Sequence, residues 1–455
     1  MHFRPFHHGL LEPVSYLIGD GGEAAVVDPT RDIEPYLDEA AAHGLAIRWV
    51  LETHLHADFV SGHVELAART GATIALAART AAEFPHRALG DGDRIEVGDV
   101  RIRAIETPGH TPESMCFLVY EHAADSAPWA VFSGDMLFEG PGWVDLLSSD
   151  SPAELAGSLY DQLVGRILTL PPSTAVYPTH VRGSVPGMWS SWQSRESDIG
   201  AERIIIFDAA RLRRAEYVTM ALRHEPMAPV HLREINRVGP PPRARIGPPP
   251  LVTPAEAVEA VARGARMLDL RRPAEYARAH LTGVLRLWPG VGYGPTLVRL
   301  VEPDRPLLLI GSKEEAAEAA ILLTRIGYDH VIGTLAPDST AWGEAGLAVS
   351  SLAGEPALDA VLRSRSVLDT RHPSAWECGH LPWAIHVPVD VLPERTAELD
   401  RDAEWIIISH DDNAGCTAAS QLEALGFRRL VLALGGMDAC RKSGVPIAVE
   451  AGPGV

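Results

Sequence analysis

The stretch ETHLHADFVSGH, residues 52 to 63, sets His54, His56 and Asp58 at alternate positions and follows them with Phe59. Imidazole and carboxylate groups ligate transition metals, and imidazole moves protons near neutral pH. In an extended segment, residues two apart point the same way, so His54 and His56 at the end of a strand suit a grip on one ion. Groups of the same kind recur at His110 in ETPGHTPES, Asp135 in FSGDML and His180 in VYPTHVRGS. Each stands just past a short apolar run, among glycines and prolines that bend the chain sharply. The set predicts a metal centre built at strand ends. His7, His8, His63 and His86 have no such context and are expected at the surface.

The chain supplies elements to hold these residues. Short apolar runs, AAVVDP, IRWVLETH, ATIALA, VRIRAIETPGH and WAVFSGD, are interspersed with helical stretches such as DIEPYLDEAAAHG. That pattern predicts sheets covered by helices, an α/β fold with its chemistry at strand ends. Residues 239 to 250, GPPPRARIGPPP, predict a stiff extended linker, because proline is excluded from helix interiors and central strands.

Beyond the linker the chain repeats itself. MLDLRRPAEYARAHLTGVLRL from Met267 aligns with VLDTRHPSAWECGHLPWAIHV from Val367, placing Asp269 and Asp369, Arg271 and Arg371, Pro273 and Pro373, and His280 and His380 each 100 positions apart. A period of that length means two copies of a domain rather than a solenoid. Each copy continues as strand, helix and strand (PLLLIGS, EEAAEAAILLTRIGY, HVIGTL; EWIIISH, GCTAASQLEALGF, RLVLAL), which is a βαβ unit and implies a parallel sheet. The expected division is 1–238 for the metal-binding domain, 239–250 for the linker, and 251–350 and 351–455 for the repeats.

Composition narrows the function classes. The 455 residues exceed what one core ordinarily organises, and 46% hydrophobic with 22% charged residues describes a folded, soluble chain. With 60 acidic against 40 basic residues the net charge is −20, which argues against nucleic acid as the main partner and leaves no basic tract for a membrane surface. No apolar run reaches the roughly 18 residues of a membrane span, and the first residues lack a signal peptide's apolar core, so a cytoplasmic location is expected. Cys116, Cys378, Cys416 and Cys440 are scattered without paired spacing, which suggests neither a disulfide framework nor a zinc-thiolate site.

Taken in order, Asp28 in VVDP, His54, His56 and Asp58 in THLHAD, His110 in TPGHT, Asp135 in SGD and His180 in YPTH resemble the motifs of the metallo-β-lactamase-fold superfamily. The resemblance implies an N-terminal αββα sandwich. In the two-zinc hydrolases of this fold the position after the aspartate supplies a histidine to the second metal; Phe59 has no lone pair to give, so one metal is expected. The first shell would then be His54, His110 and Asp135, a two-histidine, one-carboxylate face that suits non-haem Fe(II) oxygen chemistry.

That set resembles the persulfide dioxygenase branch, whose members carry it as iron ligands. The resemblance implies one Fe(II) per chain, with zinc as the alternative, and a low-molecular-weight thiol persulfide and O2 as substrates, converted to sulfite and thiol. His56, Asp58 and His180 would orient ligands or bind water and substrate. Arg182 and Arg203, the latter in SDIGAER, are candidates to hold a substrate carboxylate. One departure is HVRGSVPG, residues 180 to 187, where the branch commonly reads HGAGSxCG, so a thiol is missing.

The repeats resemble rhodanese-like domains, which implies two C-terminal α/β domains with parallel sheets. Neither carries the nucleophilic cysteine, whose place falls near Ile310 or Gly311 in the first copy and at Ser409 in the second. The loops IGSKEEA and SHDDNAG instead put carboxylates where an anion-binding loop would avoid them. Cys416, near a helix start, is expected to be a packing residue. The repeats are therefore expected to serve as structural or interaction modules, contacting a sulfurtransferase or carrier protein or a second copy in a homo-oligomer. Two other readings stand beside the dioxygenase: a metal-dependent thioester hydrolase of the glyoxalase II kind, and a non-catalytic persulfide- or partner-binding scaffold.

Overall fold

The computed structural model describes residues 1–8, 13–138, 140–142, 144–146, 148–149, 151–180, 197–209, 213–222, 230–240, 247–287, 297–298, 300–363 and 366–449. Two compact units are formed, Met1–Ile246 with Leu323–Gly327, and Gly247–Leu322 with Tyr328–Val455. Half of the expected linker, residues 241 to 246, lies outside the described residues.

The first unit is a four-layer sandwich. One six-stranded sheet takes its strands in chain order, His2–His7, Val14–Asp20, Glu23–Val27, Ala46–Leu51, Thr73–Ala77 and Arg87–Leu89. The other has the order Ser197–Asp198, Ala175–Pro178, Ala130–Gly134, Met115–Tyr120, Val100–Glu106 and Arg94–Val97. Period-two alternation sorts the side chains between layers. Tyr16 and Ile18 face the core between the sheets with Val27, Ile102, Phe117 and Phe132, whereas Leu17 packs on the other side with Tyr36 and Leu66. Those last two come from the outer helices Glu34–Ala42 and His63–Thr70. The second sheet is covered by Pro152–Gln162 and Arg214–Ala221, through Leu155, Leu159 and Tyr217. This is the expected αββα arrangement.

In the second unit two five-stranded parallel sheets share one design. The first has the order Leu251–Val252, Val331–Leu335, Leu307–Ile310, Arg266–Asp269 and Leu285–Arg286; the second has Ala353–Pro356, Leu430–Leu434, Trp405–Ile408, Val367–Asp369 and Ile385–His386. The repeated residues recur in geometry as well. Arg271 Nε donates to Asp269 at 2.9 Å and Arg371 Nε to Asp369 at 2.9 Å, all four residues being buried. His280 stacks on Tyr276 at 3.9 Å, and His380 on Trp376 at 3.6 Å.

Among the described residues no helix is long and apolar enough to cross a membrane. His8 and His63 depart from the surface placement expected of them: they are 7% and 0% exposed. His8 is drawn into a buried network, its Nε2 2.8 Å from the Tyr36 hydroxyl and 3.0 Å from Ser15 Oγ. His63 opens helix His63–Thr70, with its ring 4.5 Å from that of Phe84.

Candidate metal centre

Strand Ala46–Leu51 ends just before His54, Val100–Glu106 before His110, Ala130–Gly134 at Asp135, and Ala175–Pro178 before His180. The four chain segments converge. His110 Nε2 is 3.4 Å, His180 Nε2 3.7 Å and His54 Nε2 3.9 Å from the same Asp135 oxygen, Oδ2. Donor atoms of His54, His110 and Asp135 all lie within 4.8 Å of one another, and all three residues are buried. Asp135 Oδ1 is buried and has no hydrogen-bond partner. A buried carboxylate with one oxygen orphaned and imidazole nitrogens gathered around the other is costly without a cation, so the donor set fits a metal ion.

The backbone at these turns is specific. Gly134 has φ of 56°, and a Cβ there would come within 2.8 Å of Thr53 Oγ1, so only glycine lets the Asp135 turn close against the histidine loop. Asp28 has φ of 48°, which an aspartate tolerates when its carboxylate is held. Here Asp28 accepts from Thr53 N, Thr53 Oγ1 and Thr179 Oγ1, each at 2.8 Å, tying the His54 loop to the His180 strand. Because Thr53 Oγ1 gives its one proton to Asp28, its 3.0 Å contact with His54 Nδ1 must be accepted from the ring N–H. The His54 Nε2 lone pair is thereby turned toward Asp135, the arrangement a metal ligand needs.

His56 does not share the His54 role. The chain past Leu51 is a bent loop and not a strand, so the two-residue spacing does not align the rings. His56 Nε2 lies 3.3 Å from both Asp28 Oδ1 and Glu52 Oε2, without the alignment of a hydrogen bond, and neither ring nitrogen has a hydrogen-bond partner. Burial alone would lower its pKa, but the Asp28 and Glu52 carboxylates override this and raise it well above the usual value. Phe59, 0% exposed, stacks on the His56 ring at 4.2 Å.

Asp58 and His180 form an ion pair at 3.1 Å. Burial would raise the Asp58 pKa, yet His180 draws it to about 2. For His180 burial works downward, and Asp135 and Asp58 bring it up to about 9. The Asp58 side chain keeps 38% exposure, so solvent screens the pair.

Burial lifts the Glu52 carboxyl to about 7. The imidazole of His63 is 3.6 Å from it, and an ionised neighbour would raise His63, whereas burial lowers His63 to about 3. The contact makes no hydrogen bond, and the neighbouring His56 charge adds to burial, so the downward shift prevails.

The sequence-predicted residues His54, His110, Asp135, Asp58 and His180 come together, with His56 in contact behind them. Arg182 lies outside the described residues. Arg203 donates through Nε and Nη2 to the Leu168 and Leu170 carbonyls, each at 2.6 Å. Unforeseen contributors are Glu52, Thr53, Thr179, and Arg233 and Asn236 on helix Val230–Val238. The i, i+3 spacing of Arg233 and Asn236 on one helix was the available signal.

The metallo-beta-lactamase superfamily model matches residues 8–180, and the rhodanese-like domain model matches residues 355–443. A probable metallo-hydrolase of Burkholderia pseudomallei is 36% identical over 202 residues, 37% of this chain and 68% of that protein. A hydroxyacylglutathione hydrolase of Acidiphilium cryptum is 40% identical over 117 residues, 25% of this chain and 48% of that protein. The human mitochondrial persulfide dioxygenase is 29% identical over 179 residues, 38% of this chain and 66% of that protein. The chain thus spans about half to two thirds of the length of these curated relatives. A metallo-beta-lactamase structure from Staphylococcus aureus is 27% identical, with a TM-score of 0.65, over 74% of this chain and 99% of its own. The convergence of His54, His110, Asp135 and His180 on one αββα sandwich thus has the relatives its geometry calls for, and the chain belongs to the metallo-beta-lactamase superfamily.

Proposed function

We propose that the first unit is a mononuclear non-haem Fe(II) dioxygenase acting on a low-molecular-weight thiol persulfide such as glutathione persulfide. The observation that carries this reading is Phe59: a buried phenyl ring packed on His56, at the position where a second imidazole would be needed beside Asp58 and His180. One metal on two imidazoles and one carboxylate leaves coordination positions open. The 29% identity to a persulfide dioxygenase agrees with it. The net change is RSSH with O2 and H2O giving RSH, sulfite and two protons. Fe(II) at His54, His110 and Asp135 would supply the redox chemistry.

The chain's own groups bind and move protons. His180 Nε2, 3.1 Å from Asp58 and 3.7 Å from Asp135, would carry a proton to the departing thiolate sulfur. Asp58 holds that ring in orientation. Arg182 or Arg203 would hold a substrate carboxylate, Arg203 through the donors that the Leu168 and Leu170 carbonyls leave.

The rhodanese-like domains are proposed to be interaction modules. Their loop amides are already taken by carboxylates: Ser312 N donates to Glu315 at 2.8 Å, Ala414 N to Asp411 at 2.8 Å, and Gly435 N to Asp412 at 3.0 Å. Cys416 is 0% exposed and burial pushes its thiol up to about 11, which suits packing and not sulfur transfer.

A hydrolytic reading is favoured by one observation, the Asp58, His180 and Asp135 cluster that keeps most of a second donor set, together with the hydroxyacylglutathione hydrolase relative. Loading the apoprotein anaerobically with Fe(II), adding glutathione persulfide and following O2 uptake and sulfite separates the two. Iron-dependent consumption at one iron per chain is expected. Thioester cleavage with two zinc ions per chain, and no O2 uptake, would replace the dioxygenase with the hydrolase.

A further inference from the structure

Helix Val230–Val238 follows every metal motif in the sequence, yet its polar face is spent on the loops that carry them. Asn236 is 1% exposed and fully engaged with the histidine loop. Its Nδ2 donates to the His56 and Phe59 carbonyls, each at 2.8 Å, and its Oδ1 accepts from Ser61 N at 2.8 Å. One turn earlier, Arg233 donates to both oxygens of Glu113 at 2.9 and 2.8 Å and to Asp145 at 3.3 Å. Each carboxylate residue reaches a ligand-bearing loop in turn: Glu113 Oε1 accepts from Leu55 N at 3.4 Å, and Asp145 N donates to the His110 carbonyl at 2.9 Å.

A bent loop buried outside any sheet leaves carbonyls and amides that need partners. Asn236 supplies a donor pair and an acceptor in one planar group, as a neighbouring strand would. The bonds fall between His54 and His63 in the chain and fix the loop on which the first ligand stands. The i, i+3 spacing brings Arg233 and Asn236 to one face, so a single helix fixes the loops of His54 and His110 together.

We infer that Asn236 and Arg233 are positioning residues for the metal centre, and that helix Val230–Val238 is a clasp that sets the spacing of the His54 and His110 loops. The inference rests on the metal reading of His54, His110 and Asp135 and not on the reaction. A chain that binds metal there and oxidises no persulfide keeps the clasp and loses the proposed function.

The test uses the full-length apoprotein and Co(II), whose visible bands report ligand geometry. Asn236→Ala removes all three bonds, Asn236→Asp keeps only the acceptor to Ser61, and Arg233→Gln cuts the Glu113 and Asp145 contacts on a partly exposed side chain. Affinities come from chelator competition, and the circular dichroism of each apoprotein is compared with wild type. Removing outer partners of a metal site typically weakens binding about 10- to 100-fold. The expected result is at least threefold weaker Co(II) binding with shifted bands in every variant that folds, the Asn236 pair being weaker than Arg233→Gln. Binding within threefold of wild type with unshifted bands in any folded Asn236 variant overturns the clasp. If neither Asn236 variant folds, Arg233→Gln decides by the same two measures. Co(II) binding that survives His54→Ala unchanged would overturn the metal reading itself.

Discussion

Phe59→His tests whether one aromatic ring sets the metal count. Phe59 is 0% exposed and stacked on His56, so an imidazole introduced there starts buried against the His56 ring. Leaving a buried polar group unpaired costs about 1–3 kcal/mol. The lost apolar surface adds about 1 kcal/mol, so the metal-free variant should be less stable by roughly 2–4 kcal/mol. A second metal would offset this. Its other donors stand close, His180 Nε2 being 3.1 Å from Asp58 Oδ2 and 3.7 Å from Asp135 Oδ2. Those separations bracket the roughly 3.3 Å edge of a tetrahedron with zinc bonds near 2.0 Å. At a free metal concentration one hundred times the dissociation constant, binding returns about 2.7 kcal/mol. The variant should therefore hold two zinc ions per chain, and its urea midpoint should rise with zinc in a range where wild type no longer responds. Metal analysis after desalting and urea titration at several zinc concentrations measure both. A folded, destabilised variant that still holds one ion per chain, with zinc restoring nothing, would show that Phe59 does not exclude the second metal.

His8 predicts an acid-sensitive stability. Burial, with Arg325 adding to it, depresses its folded pKa to about 4 from an ordinary 6.5, so the unfolded chain binds the proton first. This contribution is fully present above pH 6.5, is lost as pH falls toward 4, and amounts at most to about 3 kcal/mol; urea titrations of His8→Gln should show a correspondingly flatter pH profile, and an unchanged slope would remove His8 from the account. Of the four cysteines only Cys378 is exposed, so a disulfide reagent such as dithionitrobenzoate should titrate one thiol in the native protein and four in denaturant. Rapid reaction of a second native thiol would contradict the burial of Cys116, Cys416 and Cys440. Gly134→Ala should weaken Co(II) binding by about tenfold or more and destabilise the fold by about 1–3 kcal/mol, since its Cβ meets the Thr53 side chain that orients His54; a variant matching wild type in both respects would free Thr53 of that role.

Strand ends and the repeat were legible because both are written in local pattern. Apolar runs closed by His110, Asp135 and His180 became strands with those residues just past their ends, and the pairs Asp269–Arg271 and Asp369–Arg371 recur at 2.9 Å in each copy. What was not legible depends on partners distant in sequence. Nothing in GHVELA marks His63 as buried, because the Phe84 ring beside it comes from another segment. His8 likewise owes its burial to Tyr36 and to Arg325, whose Nη1 donates to the His8 carbonyl at 2.6 Å. Nothing in SDIGAER announces that Arg203 gives two of its five donors to the Leu168 and Leu170 carbonyls, which come from another segment.

The two histidines of THLHAD show how one spacing acquires two roles. An alternating pattern assigns both rings to one ion only if the segment is extended, and here the loop bends after Leu51. Asp28 then divides the labour: through Thr53 it fixes the His54 proton on Nδ1, and through its other oxygen it draws His56 Nε2 aside toward Glu52. Phe59 covers the face of the displaced ring, and Asn236 pins the carbonyls of both residues. An Asp28→Asn change should thus affect both rings, since the amide can offer at most one acceptor oxygen where three donors now converge. Losing the Thr53 bond frees its hydroxyl to donate to His54 Nδ1, which would place the ring proton on Nε2 and weaken metal binding by about 10- to 100-fold. Chelator competition with Asp28→Asn and with Thr53→Val separates the causes: equal losses place the effect in the Thr53 relay, and a loss in Asp28→Asn alone assigns it to His56.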